Sequence, residues 1–212
     1  MGITERKARE KELRRNEIID AAERVFFSKG RMNATMDDVA AEAELSKGTL
    51  YLYFKNKDEL FLAIHLRGMA VLHKLFTDAV ESQETGINKM HAIGQAYSNF
   101  FKDYPDYFNA LMYYKSQEAE YTPQDDFANE CHNAGLDSLD IVAEVIKIGI
   151  QDGTISKELD PDKTATVLWG LSTGILQLIS TQSTHLKNKH NIDEKEIMEY
   201  AFQFIYRALK SE

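Results

Sequence analysis

The chain has 212 residues, 43% of them hydrophobic and 28% charged, a composition typical of an ordinary soluble globular protein rather than a disordered or fibrous one. Its formal net charge of −9 argues weakly against a nucleic-acid-binding protein, so the distribution of that charge matters. The single cysteine, Cys131, excludes an intrachain disulfide and fits a reducing cytoplasm.

The charge is divided unevenly along the chain. Residues 1–60 contain twelve basic and twelve acidic side chains, whereas residues 61–212 contain thirteen and twenty-two, so all the excess acid lies beyond residue 60. Residues 1–15 carry six bases against three acids, and residues 46–57 carry three lysines and no acid. Basic regions beside an acidic body are typical of a DNA-binding protein, although basic N-terminal tails are also common without that role.

Apolar residues recur at helical spacing along nearly the whole chain, and no segment alternates with period two, so we predict an all-α fold. The first fifteen residues are too charged for a secretory signal, and we expect a cytoplasmic protein. The first long helix is predicted to end at Gly30. Its apolar stripe consists of Ile18, Ala22, Val25 and Phe26.

Residues 33–61 predict three short helices, each preceded by its own capping residue. Thr35 is expected to cap the first of them and Ser46 the second. Asn56 is expected to cap the third, with Glu59 three residues later in a capping-box arrangement. Caps at this spacing predict that the first two of these helices are joined by a very short turn.

The second of these helices has an unusual outer face, because its apolar residues Leu50 and Phe54 are predicted to point inward. Lysine can donate to guanine, threonine can contact the thymine methyl group, and tyrosine hydroxyls can reach phosphate oxygens. The alternatives are that the tyrosines pack against neighbouring helices and that the lysine is merely solvated. The face consists of Lys47, Gly48, Thr49, Tyr51 and Tyr53.

Further helices are predicted after the one that begins at Lys57, which Gly86 is expected to end. Pro105, Pro123 and Pro161 each stand where a first-turn proline is tolerated. The longest mostly apolar stretch, residues 165–179, is too short to cross a bilayer, so we expect no membrane span. The predicted helices are Asn88–Asp103, Pro105–Lys115, Pro123–Gln151, Pro161–Leu186 and Asp193–Lys210.

The last two helices are candidates for a dimer interface. Residues 164–179 are apolar nearly all round, so the helix they form must be covered on both sides. Gly170 and Gly174 permit close helix contact, and the final helix has an apolar stripe of its own. We predict that the two helices pair with their twofold mates, although the same stripes can also simply close the core of one chain.

An aromatic cluster runs through two consecutive helices between residues 97 and 114. Most of its members are expected in the core, and some are expected to line a pocket for a small apolar or aromatic ligand. The candidates for the pocket are Tyr97, Phe101, Tyr104, Phe108, Met112 and Trp169.

The segment SKGTLYLYFKNKDEL, preceded by TMDDVAAEA, resembles the signature of the TetR family of transcriptional regulators, and the resemblance covers residues 14–64. It implies a helix-turn-helix domain at 1–64 with a basic N-terminal arm, and a ligand-binding and dimerisation domain at 65–212. The helix that starts at Ser46 would then be the recognition helix. Lys47, Gly48, Thr49 and Tyr51 would face bases and nearby phosphates, Thr35, Tyr53 and Lys57 would hold the DNA backbone, and Arg14 and Arg15 would contribute from the arm.

Two positions depart from the family pattern. Glu44 stands where the family usually has glycine, which costs about 1–2 kcal/mol if that turn needs a positive φ. Arg31 and Met32 follow Gly30 where the family usually has an aromatic residue.

By this resemblance we predict a homodimeric repressor that leaves a palindromic operator when a small molecule binds, without a cofactor. The helix from Lys57 would transmit the change, with Gly68 as its soft point. No glycine-rich phosphate loop, nucleophile elbow or metal-ligand spacing is present, so neither an enzyme nor a metal site is expected. The alternative is a helical small-molecule carrier or adaptor, which would not explain the polar face at residues 46–57.

Overall fold

The structure is a computed structural model that describes residues 2–117 and 126–211, and these residues form α-helices without a β-strand. The all-α prediction is therefore confirmed. The helices are α1 (Ile3–Lys29), α2 (Met36–Glu42), α3 (Lys47–Tyr51), α4 (Lys57–Glu81), α5 (Gly86–Asp103), α6 (Pro105–Gln117), α7 (Asp126–Gln151), α8 (Pro161–His190) and α9 (Glu194–Leu209).

Local signals account for most of the helix ends. Gly30 follows α1 with a φ of 75°, a conformation that glycine adopts without a steric penalty. Asp160 caps α8, where its carboxylate accepts a hydrogen bond of 2.9 Å from the backbone N–H of Lys163. The predicted helix start at Pro123 lies outside the described residues. The C-terminal end of α8 was predicted four residues too early, because the helix continues to His190.

Gly86 does not end a helix, which corrects its predicted role. Helix α4 ends at Glu81, and Gly86 is the first residue of α5. A side chain at Gly86 would collide with the backbone of Gly149 in α7, so the glycine is there for close packing rather than for a turn. Its N–H donates a hydrogen bond of 2.7 Å to the carboxylate of Asp152.

Contacts divide the chain into two units, Met1–Met69 with Asp106–His132, and Ala70–Pro105 with Asn133–Glu212. The break after residue 69 lies close to the predicted boundary after residue 64. The sequence did not indicate that α6 and the start of α7 pack with the N-terminal helices. The assignment of DNA binding to 1–64 and of ligand binding to 65–212 stays a prediction.

The core of the first unit lies between α1, α2, α3 and the start of α4. Leu50 and Phe54 are fully buried in it, as the helical spacing predicts. Gly68 in α4 is buried too, and a Cβ there would lie 3.0 Å from a methyl group of Leu111 in α6. Gly68 therefore allows α6 to pack close to α4. The other fully or nearly fully buried apolar residues of this core include Ile18, Ile19, Ala22, Val39, Leu60 and Ile64.

Helix α4 is long and apolar enough to cross a membrane by length and composition alone, a property that was not predicted from the sequence. More than half of that stretch is buried within the protein. This burial is what the core helix of a soluble protein shows, so the helix is weak evidence for a membrane span.

Candidate nucleic-acid interface

Apolar residues in and just after α3 pack it against the core of the first unit, and Ser46 caps its N-terminal end. The Ser46 hydroxyl accepts a hydrogen bond of 3.2 Å from the backbone N–H of Thr49, as the sequence predicts. The two hydroxyl groups also lie 2.8 Å apart. Because Leu50 and Phe54 fill the core, the opposite side of the helix faces away from the rest of the unit.

The turn between α2 and α3 requires a left-handed residue. Glu44 has a φ of 54° there. The cost of about 1–2 kcal/mol that a non-glycine residue has at positive φ therefore applies to this turn. The N–H of Leu45 returns to the carbonyl oxygen of Ala40 at 2.9 Å and closes the turn. The side chain of Glu44 is exposed and places a negative charge beside α3.

The outer face of α3 combines an exposed cation, an exposed aromatic ring and a glycine. Lys47 and Gly48 are exposed, Tyr51 is 49% exposed, and Thr49 is half-buried. Leu52 is 79% exposed beside them, which was not predicted. Helical spacing alone gave no reason to place a leucine on the outside.

Lys47 is held by a partner on the preceding helix. Its ammonium group lies 2.5 Å from the carboxylate of Asp37 at the start of α2, and both side chains are well exposed. An exposed ion pair of this kind is worth little. A phosphate or a base edge can therefore replace Asp37 as the partner of Lys47 at small cost.

Two of the residues predicted to contact the DNA backbone have structural roles. Tyr53 is half-buried and packs against the core of the first unit, which is the alternative that the sequence left open. The ammonium group of Lys57 donates to the carbonyl oxygens of Arg31, at 2.9 Å, and Ala34, at 3.1 Å. Lys57 thus holds the connection between α1 and α2 together.

Thr35 and Asp38 form a reciprocal cap at the start of α2. The Thr35 hydroxyl accepts from the N–H of Asp38 at 3.1 Å, and the N–H of Thr35 donates to the Asp38 carboxylate at 3.0 Å. The Lys29 ammonium donates to the same carboxylate at 2.6 Å. Hydrogen bonds from Lys29 first, and then from Thr35, lower the pKa of Asp38 to about 2.

Arg31 takes the place of the family's aromatic residue and joins α6 to the start of α4. Its guanidinium group lies 4.6 Å from the ring centre of Tyr113 and 5.1 Å from that of Phe61. It donates to the Tyr113 hydroxyl at 2.5 Å and to the carboxylate of Asp58. The sequence showed only that the usual residue type was missing, not what Arg31 would contact.

The two arginines assigned to the N-terminal arm are both engaged. Arg14 pairs with Glu17 at 2.7 Å on the surface of α1. The guanidinium group of Arg15 lies over the rings of Phe54, at 5.2 Å, and Phe127, at 5.4 Å. Arg15 therefore packs against Phe54, just beyond the end of α3, and against Phe127 at the start of α7 rather than extending into solvent.

The candidate effector residues fall into both units. In the second unit, Tyr97 is buried and its hydroxyl lies 3.0 Å from that of Thr173, so it links α5 to α8. Burial raises the pKa of Tyr97 and keeps the phenol neutral. Phe101 is half-buried, whereas Tyr104 and Trp169 are each about 40% exposed. In the first unit, Phe108 is buried and Met112 is half-buried.

A groove of about 520 Å³ lies between α4 and α7 in the second unit. Its apolar lining includes Val80 and Ile141, and none of the six candidate effector residues lines it. The groove therefore does not coincide with the set of residues predicted to bind the effector, and that set stays a prediction. Its acidic lining residues are Glu81, Asp137, Asp140 and Glu144.

The last two helices carry large apolar side chains that remain exposed within the part of the chain that the structure describes. On α8 the exposed residues Val167, Leu171 and Leu178 follow each other at helical spacing, opposite the buried residues of the same helix. Among residues 2–117 and 126–211, no atom of another element lies within 4 Å of where a Cβ of Gly170 or Gly174 would stand, so the described part of the chain leaves this side of α8 open. On α9 the exposed apolar residues are Tyr200, Phe204 and Tyr206.

Among residues 2–117 and 126–211, no group of three or more histidine, cysteine, aspartate and glutamate side chains is arranged to hold a metal ion.

Comparisons with known proteins agree with this architecture. Residues 18–64 match the model of a family described as bacterial regulatory proteins of the tetR family. The chain is 24% identical over 168 residues to the HTH-type transcriptional regulator TtgR of Pseudomonas putida, an alignment that covers 77% of this chain and 78% of that protein.

Two solved structures share the fold. A transcriptional regulator of the TetR/AcrR family from Thermobifida fusca has a TM-score of 0.72 at 18% identity, over 91% of this chain and 96% of that chain. The regulator FadR from Bacillus subtilis, solved in complex with stearoyl-CoA, has a TM-score of 0.66 at 18% identity, over 91% and 98%.

A capped helix with a buried back and an exposed polar front, next to a second short helix, defines a helix-turn-helix DNA-binding transcription regulator. The match over residues 18–64, the curated relatives and the solved structures all indicate a regulator of the TetR family.

Proposed function

We propose that the protein is a cytoplasmic, homodimeric repressor that binds a palindromic operator through two copies of α3 and leaves it when a small apolar or aromatic effector binds. The observation that carries the proposal is the face of α3, with exposed Lys47, Gly48 and Tyr51 in front and buried Leu50 and Phe54 behind. An exposed tyrosine beside a glycine gives no advantage to a helix that only faces water. A helix that enters a DNA groove can use the tyrosine for contacts and the glycine for close approach.

Within this proposal, the residues of α3 and its flanks have different tasks. Lys47, Gly48, Thr49 and Tyr51 contact base edges and nearby phosphates. Thr35 and Ser46 lie at the starts of α2 and α3, where hydroxyl and backbone groups face the DNA backbone. Tyr53 and Lys57 support DNA binding indirectly. Tyr53 packs against the core of the first unit, and Lys57 holds the connection between α1 and α2.

The proposed dimer interface is the exposed apolar side of α8 together with α9. Val167, Leu171 and Phe204 are too large and too exposed for a surface that stays in water, and contiguous patches of this kind mark interaction sites. A second copy of the chain provides the matching surface under twofold symmetry. The two recognition helices must then lie about 34–36 Å apart to enter successive major grooves.

The effector is proposed to act by shifting the population between two dimer geometries. It can do so only to the extent that it binds one geometry more tightly than the other. Tyr97 and Phe101 supply apolar surface with a polar phenol in the second unit, which suits an apolar or aromatic ligand. Because FadR was solved with stearoyl-CoA, long-chain acyl-CoA thioesters belong in the first panel of compounds to be tested.

The decisive test is a comparison of sequence preference between variants of α3. The protein is used to select duplexes from a random library, and binding to the enriched duplex is compared with binding to a scrambled one. Lys47→Ala with Tyr51→Ala is expected to abolish the preference while the helical circular-dichroism signal remains. Lys55→Ala removes the same charge just beyond α3 and is expected to keep the preference.

Two results would contradict the proposal. If wild type enriched no sequence, the carrier or adaptor alternative would be favoured. If Lys55→Ala abolished the preference as fully as the double variant, a general charge effect would replace the assignment to α3.

A further inference from the structure

The groove between α4 and α7 in the second unit has an apolar floor. The side chains on this floor are half-buried or buried, so they can cover the apolar part of a ligand. The hydroxyl of Thr77 at its edge donates to the carbonyl oxygen of His73 at 3.0 Å and therefore offers the groove no free donor. The floor is formed by Val80, Ile141, Val145 and Ile148.

The edge of the groove on α7 is acidic. Asp137, Asp140 and Glu144 follow each other at spacings of three and four residues, so their side chains lie along one line of the helix. All three are exposed, and at 1.5 Å per residue they extend over about 10 Å of the groove. Glu81 adds a fourth acidic side chain from α4. A ligand on the floor therefore meets negative charge from both helices.

Few cations of the chain neutralise this edge. Glu144 lies 3.7 Å from the ammonium group of Lys147, but both side chains are exposed and such a pair is worth little. The other three acidic residues of the groove form no ion pair with any residue that the structure describes. Lys74 on α4 is paired with Asp78 at 2.7 Å. The groove thus keeps a negative charge that a ligand of opposite charge can use.

Volume and chemistry together select the class of ligand. About 520 Å³ falls within the range of sites for small organic molecules. A metal ion would leave the apolar floor unused, and the described side chains include no group of three or more acids, histidines and cysteines arranged to hold one. An anion would be repelled, and a neutral molecule would gain nothing from the carboxylates. A molecule with an apolar body and a positive charge fits both parts of the groove.

We propose that the groove between α4 and α7 binds a lipophilic organic cation, whose apolar body lies on Val80 and Ile141 and whose charge faces Asp140 and Glu144. The inference goes beyond the proposed function, since none of the lining residues is among the six predicted for the effector. Binding needs neither DNA nor a second subunit, because all the lining residues belong to the second unit of one chain. Salt screens exposed charges, so the affinity falls as ionic strength rises.

Three ions of related shape test the chemistry of the site. Tetraphenylphosphonium carries its positive charge inside an apolar shell, tetraphenylborate has nearly the same shape with a negative charge, and tetramethylammonium keeps the positive charge without the rings. Binding of each to the whole chain is measured by isothermal titration calorimetry in the absence of DNA. Only tetraphenylphosphonium is expected to bind saturably. Equal or tighter binding of either of the other two ions, or no binding of tetraphenylphosphonium, would overturn the inference.

Two double variants locate the site. Asp140→Asn with Glu144→Gln removes two charges from the groove, whereas Glu158→Gln with Asp162→Asn removes two charges from exposed positions of the same unit outside it. The first is expected to bind tetraphenylphosphonium about tenfold more weakly, because exposed charge pairs contribute modestly and two are lost. The second is expected to keep the wild-type affinity. Circular dichroism checks that both variants remain folded.

The remaining outcomes would contradict the inference. Unchanged affinity of the groove variant would show that the cation binds elsewhere on the chain. Equal loss in both variants would show a general effect of net charge rather than a site. Wild-type preference for the selected over the scrambled duplex is measured separately and tests the proposed function alone.

Discussion

At the scale of single residues, several side chains of the first unit each hold two or more segments of that unit together. Asp38 accepts hydrogen bonds from Thr35 and Lys29, Lys57 donates to two carbonyl oxygens, and Arg31 joins α6 to the start of α4. None of these groups needs to touch DNA to matter for binding. They tie together the end of α1, the start of α2 and the start of α4, next to which α3 lies.

Asp38 makes the stability of the unit depend on acid pH. Its folded-state pKa of about 2 lies below the ordinary value of 3.8, so the stabilisation is present above about pH 4 and is lost as pH falls toward 2. We expect the difference in thermal stability between wild type and Asp38→Asn to shrink over this range, as measured by circular dichroism. Asp37→Asn removes the neighbouring carboxylate outside the cap. If it changed the pH dependence as much as Asp38→Asn, the cap would not be the cause.

At the scale of elements, the turn between α2 and α3 is strained by its residue type. Glu44→Gly is expected to raise the free energy of unfolding by about 1 kcal/mol, because glycine adopts a positive φ without the Cβ clash. Glu44→Gln keeps the strain and removes only the charge, so it should leave stability unchanged. Both variants should bind DNA more tightly at low salt. Chemical denaturation distinguishes them, and equal stability of the three proteins would show that the turn is not strained.

At the scale of the whole molecule, the uncovered side of α8 and α9 predicts the oligomeric state. Leu171→Glu with Phe204→Glu places two charges in the apolar surface and is expected to give monomers by sedimentation velocity. Loss of the second recognition helix should weaken operator binding by about 10²–10⁴-fold. Ser180→Glu adds a charge at an exposed position on another side of α8 and should remain dimeric. A double variant that stayed dimeric would show that these helices do not form the interface.

The helix starts and the inward-facing residues of segment 33–61 could be predicted from the sequence, because both depend on local chemistry. Thr35, Ser46 and Asp160 cap helices through neighbours three residues away, and the burial of Leu50 and Phe54 follows from their spacing. The family resemblance was readable for the same reason, since its signature lies in one continuous segment. The positive φ of Glu44 was considered from that pattern and is present.

The contacts between distant segments were decided only by the tertiary structure. Nothing local indicated that Arg31 would meet Tyr113, 82 positions later, or that Gly86 would pack against Gly149. Tyr53 and Tyr51 have the same chemistry and lie two residues apart, yet only the surrounding core determines that Tyr53 packs and Tyr51 stays exposed. Caps and spacing act within a few residues of backbone, whereas the partner of a long side chain depends on which helices the whole fold brings beside it.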